Sequence, residues 1–369
     1  MNKVEKLAKK ITAYSCKIKK NQKVVIQITG DSSKSLVVAI IREINLIGAD
    51  VEIINKEPAI TAEIIKGITI DKAERMAAKD LAIINDADVC IMIKSIEDDS
   101  VMDEVPKESK EIYAKYYTKM VDAAILETTR WISLRYPNKT MALKAGMSYS
   151  DYKDYYYRVC TIDYKKLTEG MEFLVELMRK TSVVKITGPN TDISFSIKDI
   201  PVHKCDGLIN LPDGEVYTAP VRDSVNGYVQ YNVPSIYQGT EFNNVLLSFI
   251  NGRIVEARCG NPKKMEALNE ILNIDEGARY IGEFALGVNP FIKVPTKDIL
   301  FDEKIAGSFH LTPGFSYKDA FNGNESSIHW DLVCIQTEIY GGGKIYFDDI
   351  LVRENGKFVF DELDILNPK

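Results

Sequence analysis

Histidine occurs three times in 369 residues, and two of the three, His310 and His329, stand in the last quarter among Glu283, Glu303 and Asp331. Upstream, Glu215 ends the acidic turn Asn210-Leu211-Pro212-Asp213-Gly214-Glu215. A neutral imidazole offers a lone pair at neutral pH without a charge penalty, which makes histidine the commonest side-chain metal ligand. In His329-Trp330-Asp331 the spacing is i, i+2. On an extended strand both side chains then project from one face, so a nitrogen and an oxygen converge on one ion. Glu283 lies between Gly282 and Gly287, which permit close backbone approach, and the Pro-Asp-Gly turn fixes the chain just ahead of Glu215. Taken together, three carboxylates and two neutral imidazoles carry −3 against the +4 of two divalent ions. Carboxylates bridge ions held ~3.5–4 Å apart, which imidazoles do not, and that spacing is the mark of two-metal hydrolases. Nitrogen and oxygen donors without thiolate suit zinc, cobalt or manganese.

Two kinds of segment must position these residues. In the first hundred residues, helical spacing (Leu7, Ile11, Tyr14, Ile18; then Leu36, Ile40, Ile44, Ile47) alternates with the β-branched runs Val24-Val25-Ile26, Val51-Glu52-Ile53-Ile54 and Val89-Cys90-Ile91-Met92-Ile93. Strands separated by helices predict a parallel sheet with helical crossovers. Residues 148–180 read as helical, with Tyr155-Tyr156-Tyr157 followed by Leu167, Met171, Leu174 and Leu177. Beyond Thr181 the period shortens to two. Alternating segments flank Gly188-Pro189-Asn190-Thr191 and Asn251-Gly252, the latter a strong type I′ hairpin signal, and one helix is predicted over 262–272. The fold class expected is therefore α/β plus α+β. An N-terminal parallel α/β domain with a helical connecting segment spans 1–180, and a mainly antiparallel β domain carrying the metal site spans 181–369.

Composition bounds the function. Hydrophobic residues make up 45% and charged residues 27%, as in an ordinary globular protein. A formal charge of −6 argues against a nucleic-acid partner, which demands a basic surface. No stretch approaches eighteen apolar residues and the N-terminus lacks an apolar signal region, so no membrane span or export is expected. Six scattered cysteines without a C-x-x-C pair read as reduced thiols of a cytoplasmic protein.

Other features carry bland readings. Gly30-Asp31-Ser32-Ser33-Lys34-Ser35 joins a strand to a helix but lacks the glycine spacing that wraps a phosphate. Asp31 or Ser32 is expected to cap the helix. The tyrosine run would suit either packing or an interface, and His203 has no acidic neighbour at ligand spacing. The rival to an enzyme is a nucleotide- or ligand-binding α/β protein, or a catalytically silent paralogue.

The segments Asn210–Pro220, Gly282-Glu283-Phe284, Asp302–His310 and Ser327-Ile328-His329-Trp330-Asp331 resemble the motifs of the aminopeptidase T family of dinuclear metallo-aminopeptidases. Arg135-Tyr136-Pro137 and Ala145-Gly146-Met147-Ser148 extend the resemblance over nearly the whole chain. The resemblance implies two divalent ions held by Glu215, Glu283, His310, His329 and Asp331, with Tyr317 as a catalytic tyrosine. It also implies a peptide substrate with a free N-terminus and a homodimer. Glu283, or another site carboxylate, is expected to relay the proton of the attacking water. Asp223 and Glu303 are candidates to hold the substrate amine. The stretch from His310 to His329 is shorter than the resemblance leads one to expect, so Gly314 and Ser316 to Gly323 are expected to shape a different pocket wall.

Overall fold

A computed structural model describes the chain apart from Asp31, Ile96 and Asp98, and apart from the side chains of Asp99 and Thr128. The chain forms two compact units: Met1–Ile162 with Gly207–Pro212, and Asp163–Asp206 with Asp213–Lys369. Among the described residues, no helix is long and apolar enough to cross a membrane.

The first unit is built on a five-stranded parallel sheet. Its order is Asp50–Lys56, Lys23–Gly30, Val89–Ser95, Arg130–Arg135, Asn210–Leu211. Val89–Ser95 is buried on both faces, with Val89, Cys90, Ile91 and Ile93 excluded from solvent. Its continuous apolar run is what a central parallel strand requires. Asp50–Lys56 lies at the edge and buries only Ile54. Helix Lys34–Ile47 follows the first strand, its cap position taken by Ser33 rather than Ser32, while Asp31 lies outside the described residues. The tyrosines Tyr152, Tyr155, Tyr156 and Tyr157 of helix Tyr149–Cys160 are at most 5% exposed in the single chain. They are packing residues of the single chain, the first of the two roles that the tyrosine run would suit.

The second unit opens with helix Tyr164–Lys180, which ends where the sequence places the domain boundary. Its buried stripe of Leu167, Met171, Leu174 and Met178 follows the helical period. Gly170 lets the helix approach closely, because a Cβ there would meet Ile365 Cγ2 at 2.6 Å. Two large antiparallel sheets and a two-stranded one, Ser235–Tyr237 with Thr240–Phe242, follow. The eight-stranded one contains the hairpin Leu246–Ile250/Arg253–Arg258, whose turn residues Asn251 and Gly252 both have positive φ (48° and 82°), as a type I′ turn requires. The five-stranded sheet has the order Leu332–Ile335, Ser308–Pro313, Ile281–Gly287, Glu215–Thr218, His203–Cys205. All seven residues of its central strand Ile281–Gly287 are buried, and Phe284 meets Phe195 of the larger sheet edge-to-face at 4.9 Å.

Candidate metal centre

The central strand sets the site. Antiparallel partners share a face, and the ladder pairs Gly287 with Glu215, Ala285 with His310 and Glu283 with Thr312. Alternation then places Glu215, Glu283 and His310 on one face. His310 pairs in turn with Val333, two residues beyond Asp331. The small residues Ala285 and Gly287 lie between the long side chains. At Gly287 a Cβ would meet Ile305 O at 2.4 Å and Glu303 O at 2.8 Å, so only glycine admits the Glu303 backbone beside the ladder. Gly282 does the same for the Gly314-Phe315 carbonyls, at 2.4 and 2.2 Å.

All five sequence-predicted ligand residues converge. His310 Nε2 is 3.0 Å from Glu283 Oε1 and 3.8 Å from Glu215 Oε2. His329 Nε2 is 3.3 Å from Glu283 Oε2 and 3.4 Å from Asp331 Oδ1. Two triads result, Glu215-Glu283-His310 and Glu283-His329-Asp331, each with its donor atoms within 4.8 Å of one another. Glu283 belongs to both. His329 and Asp331 precede the strand Leu332–Ile335 instead of lying within it, and a bridge between His329 and Gly314 keeps that approach extended.

The protonation pattern suits cation binding. The Phe315 carbonyl can only accept, so His329 Nδ1 at 2.8 Å donates to it, leaving Nε2 of the neutral ring as a lone pair. That Nε2 is buried, makes no hydrogen bond, and faces two carboxylate oxygens. Glu215 Oε2 is likewise buried without a hydrogen bond. Lone pairs turned on one another in a dry site repel unless positive charge lies between them. The donor set and these orphaned atoms therefore fit divalent metal. Burial opposes charge on both imidazoles, yet Glu283 for His310 and Asp331 for His329 hold their basicity well above the ordinary value. Glu283 shows the converse: burial works upward, but the hydrogen bond from His310 and the nearby His329 ring bring it down.

Around this set the structure adds what residue types alone did not single out. Lys304 is fully buried, pairs with Glu303, and lies 3.5 Å from Glu215 Oε1. Burial disfavours its charge, but Glu215 and Glu303 raise its basicity beyond that of a free lysine. Its signal was present in Asp302-Glu303-Lys304, a cation between acids and an apolar run. Burial, partly offset by Lys304, lifts the Glu303 carboxyl above the ordinary carboxylate range. Thr312 Oγ1 donates to Asp331 Oδ1 at 2.7 Å and orients it. Cys205 and Asp213 approach Glu215, but burial pushes the Cys205 thiol up and keeps it protonated. His203 donates from Nε2 to the Asp319 carbonyl at 2.9 Å.

Tyr317 lies beside the second triad, its ring 4.7 Å from that of His329 and 5.8 Å from that of Phe315. Some 42% of it remains open to solvent, so a substrate can reach it. Burial of the phenol and the neighbouring carboxylates raise its pKa, which keeps the hydroxyl protonated as a donor. Asp223 is exposed and pairs with Arg222 at 3.5 Å. Glu303, the other residue expected to hold the amine, feels the charges of Lys304, Glu215, Asp331 and His310.

A family model described as thermophilic metalloprotease (M29) matches residues 1–358. Aminopeptidase T of Thermus thermophilus is 38% identical over 138 residues, covering 33% of this chain and 33% of that relative. Aminopeptidase AmpS of Bacillus subtilis is 35% identical over 130 residues, covering 34% and 31%. The matched part thus spans about a third of the length of these curated relatives. Among solved structures, wild-type AmpT from Thermus thermophilus superposes with a TM-score of 0.77 at 20% identity, over 97% of this chain and 99% of that one. The 2,5-dihydroxypyridine dioxygenase of Pseudomonas putida KT2440 gives 0.63 at 13% identity, over 98% and 99%. At such identities the structural likeness speaks for the fold alone. The family model runs through every residue of the metal centre and nearly the whole length of the sequence, and on that ground the chain belongs to the thermophilic metalloprotease (M29) family.

Proposed function

We propose that this chain is a metal-dependent aminopeptidase, releasing N-terminal amino acids from peptides at a centre of two divalent ions, zinc, cobalt or manganese. The observation that carries the reading is Glu283, one carboxylate shared by two histidine-carboxylate triads. Glu215, Glu283 and His310 would hold one ion, and Glu283, His329 and Asp331 the other. Bound there, the ions supply Lewis acidity, polarising a carbonyl and acidifying water.

The chain's own residues supply the rest. Both Glu283 oxygens face imidazole nitrogens, which suits a bridging carboxylate and leaves neither free to relay a proton. Proton transfer passes to Glu303, whose raised carboxyl is poised nearer neutrality, as an acid–base group requires. Lys304 holds Glu303 and Glu215 in place. Tyr317 donates a hydrogen bond to the carbonyl oxygen as negative charge develops on it.

The test is hydrolysis of an aminoacyl-nitroanilide by chelator-treated protein with and without added Zn²⁺, Co²⁺ or Mn²⁺, alongside elemental analysis. His329→Ala should lose metal and activity together; full activity after exhaustive chelation would sink the reading. We also infer a cytoplasmic homodimer. The six free thiols support the location, and the family resemblance alone supports the dimer, which light scattering tests.

A further inference from the structure

The first unit holds a cavity of 530 Å³ whose lining includes none of the metal-centre residues. Its floor is one face of the parallel sheet. Gln27, Met92, Ser133 and Asn210 stand in register across four strands, and Thr29 and Lys94 form the next pair along the same face. Three of the four residues in that first row are polar, in the middle of a sheet face that packing alone would fill with aliphatic side chains. Gln27 Oε1 is buried and accepts no hydrogen bond, an acceptor left wanting a donor.

The walls divide by chemistry. Trp131, Met102, Tyr113 and Leu126 give an apolar body. Lys94 and Asp122 add opposite charges that feel one another without forming an ion pair among the described residues. Lys56 lies deeper, already engaged by Asp80 at 3.7 Å and by the face of Tyr117 at 4.5 Å. Lys56 and Lys94 sit at or near the carboxyl ends of their strands, where open α/β sheets bind ligands. There is no glycine-rich loop to wrap a phosphate, which directs the reading away from nucleotides.

An unengaged cation, an unengaged carboxylate and an orphan acceptor around an apolar body are complementary to a small zwitterion. We propose that this cavity binds a free α-amino acid with an aliphatic side chain: its carboxylate on Lys94, its ammonium between Asp122 and Gln27 Oε1, its side chain against Trp131 and Met102. The site is independent of the peptidase reading, since it shares no residue with the metal centre.

Only two tryptophans occur, Trp131 and Trp330, so in Trp330→Phe the emission reports this cavity alone. L-leucine should change that emission saturably, with half-saturation below about 1 mM. Its amputated analogues, 4-methylpentanoate (no ammonium) and 3-methylbutylamine (no carboxylate), should bind at least about 10-fold more weakly, the scale of one charge-assisted contact. Asp122→Asn should weaken L-leucine by about 10-fold while leaving 4-methylpentanoate unchanged, and Lys94→Ala should weaken both L-leucine and 4-methylpentanoate while sparing 3-methylbutylamine. Both positions are exposed, so neither change threatens folding. Should Trp330→Phe fold poorly, calorimetry of the native-sequence chain against its Asp122→Asn variant reads the same difference, because a leucine held at the metal centre is common to both. No saturable response up to about 10 mM, equal binding of the three probes, or indifference to both substitutions would overturn the proposal.

Discussion

At the scale of single residues, Tyr317 and Lys304 separate chemistry from scaffolding. Among the described residues the Tyr317 hydroxyl has no hydrogen-bond partner, and its ring rests on His329, Phe315 and Tyr217. If its hydroxyl serves the oxyanion, Tyr317→Phe lowers kcat by roughly 10²–10³ with little change in KM and no loss of metal. Steady-state kinetics with metal analysis reads this directly; near-native kcat at full metal content would assign the oxyanion to the ions alone. Lys304 is the opposite case. Replacing it with methionine fills the space but leaves Glu215 and Glu303 buried without their cation. Breaking a buried pair from one side costs about 3–5 kcal/mol, so Lys304→Met in metal-free protein should shift the urea midpoint well downward. A midpoint unchanged from wild type would mean that the carboxylates take up protons instead.

Elements bring the ligands to each other through features no ligand residue contains. The approach to His329 is tied down by Asp275, which accepts hydrogen bonds from Ser326 Oγ, Ser327 Oγ and the Ser327 amide, each at 2.7 Å. Burial works against the charge, but these bonds and one from the Ala278 amide bring Asp275 down from 3.8 to about 2. A carboxyl lowered on folding contributes stability that is fully present above its unfolded value. That contribution is lost as pH falls from about 3.8 to about 2. Asp275→Asn should therefore flatten the acid-unfolding curve of the metal-free protein in that window, and should weaken metal retention at neutral pH. A parallel curve for variant and wild type would show that the segment is held by other contacts. Gly287 makes the same point from the backbone: Gly287→Ala forces the strand away from the Glu303 carbonyl. Overpacking costs about 1–3 kcal/mol, read as a lower thermal midpoint with partial loss of metal.

For the whole molecule, the question is where the second unit begins. Helix Tyr164–Lys180 buries Leu167, Met171, Leu174, Val175 and Met178 within that unit. At roughly 1.5–3 kcal/mol for each fully buried apolar side chain, the helix contributes an amount comparable to the ~5–15 kcal/mol that holds a domain folded. A chain of residues 181–369 should consequently expose apolar surface and give poorly dispersed amide resonances, whereas residues 163–369 should fold cooperatively. Equal folding of the two would place the boundary at 180 after all.

The sequence by itself was enough for the alternation of strand and helix in the first half, the hairpin at Asn251-Gly252 and the choice of five candidate residues that the fold brings together. Each is local: a period, a turn dipeptide, or a rare residue type beside carboxylates. The tertiary structure decided the rest. That Glu283 is common to both triads depends on the ladder pairing Ala285 with His310 and on the approach of His329 to Gly314, contacts 25 and 15 residues apart in the chain. Whether the tyrosines face inward or outward depends on what covers the helix, since neighbouring positions on it point in different directions whatever their type. The charge on Lys304 and the burial that keeps it there are set by packing around the residue. The cavity over the parallel sheet is set in the same way, by register: Gln27, Ser133 and Asn210 are unremarkable in sequence and form one polar row only once the strands are side by side.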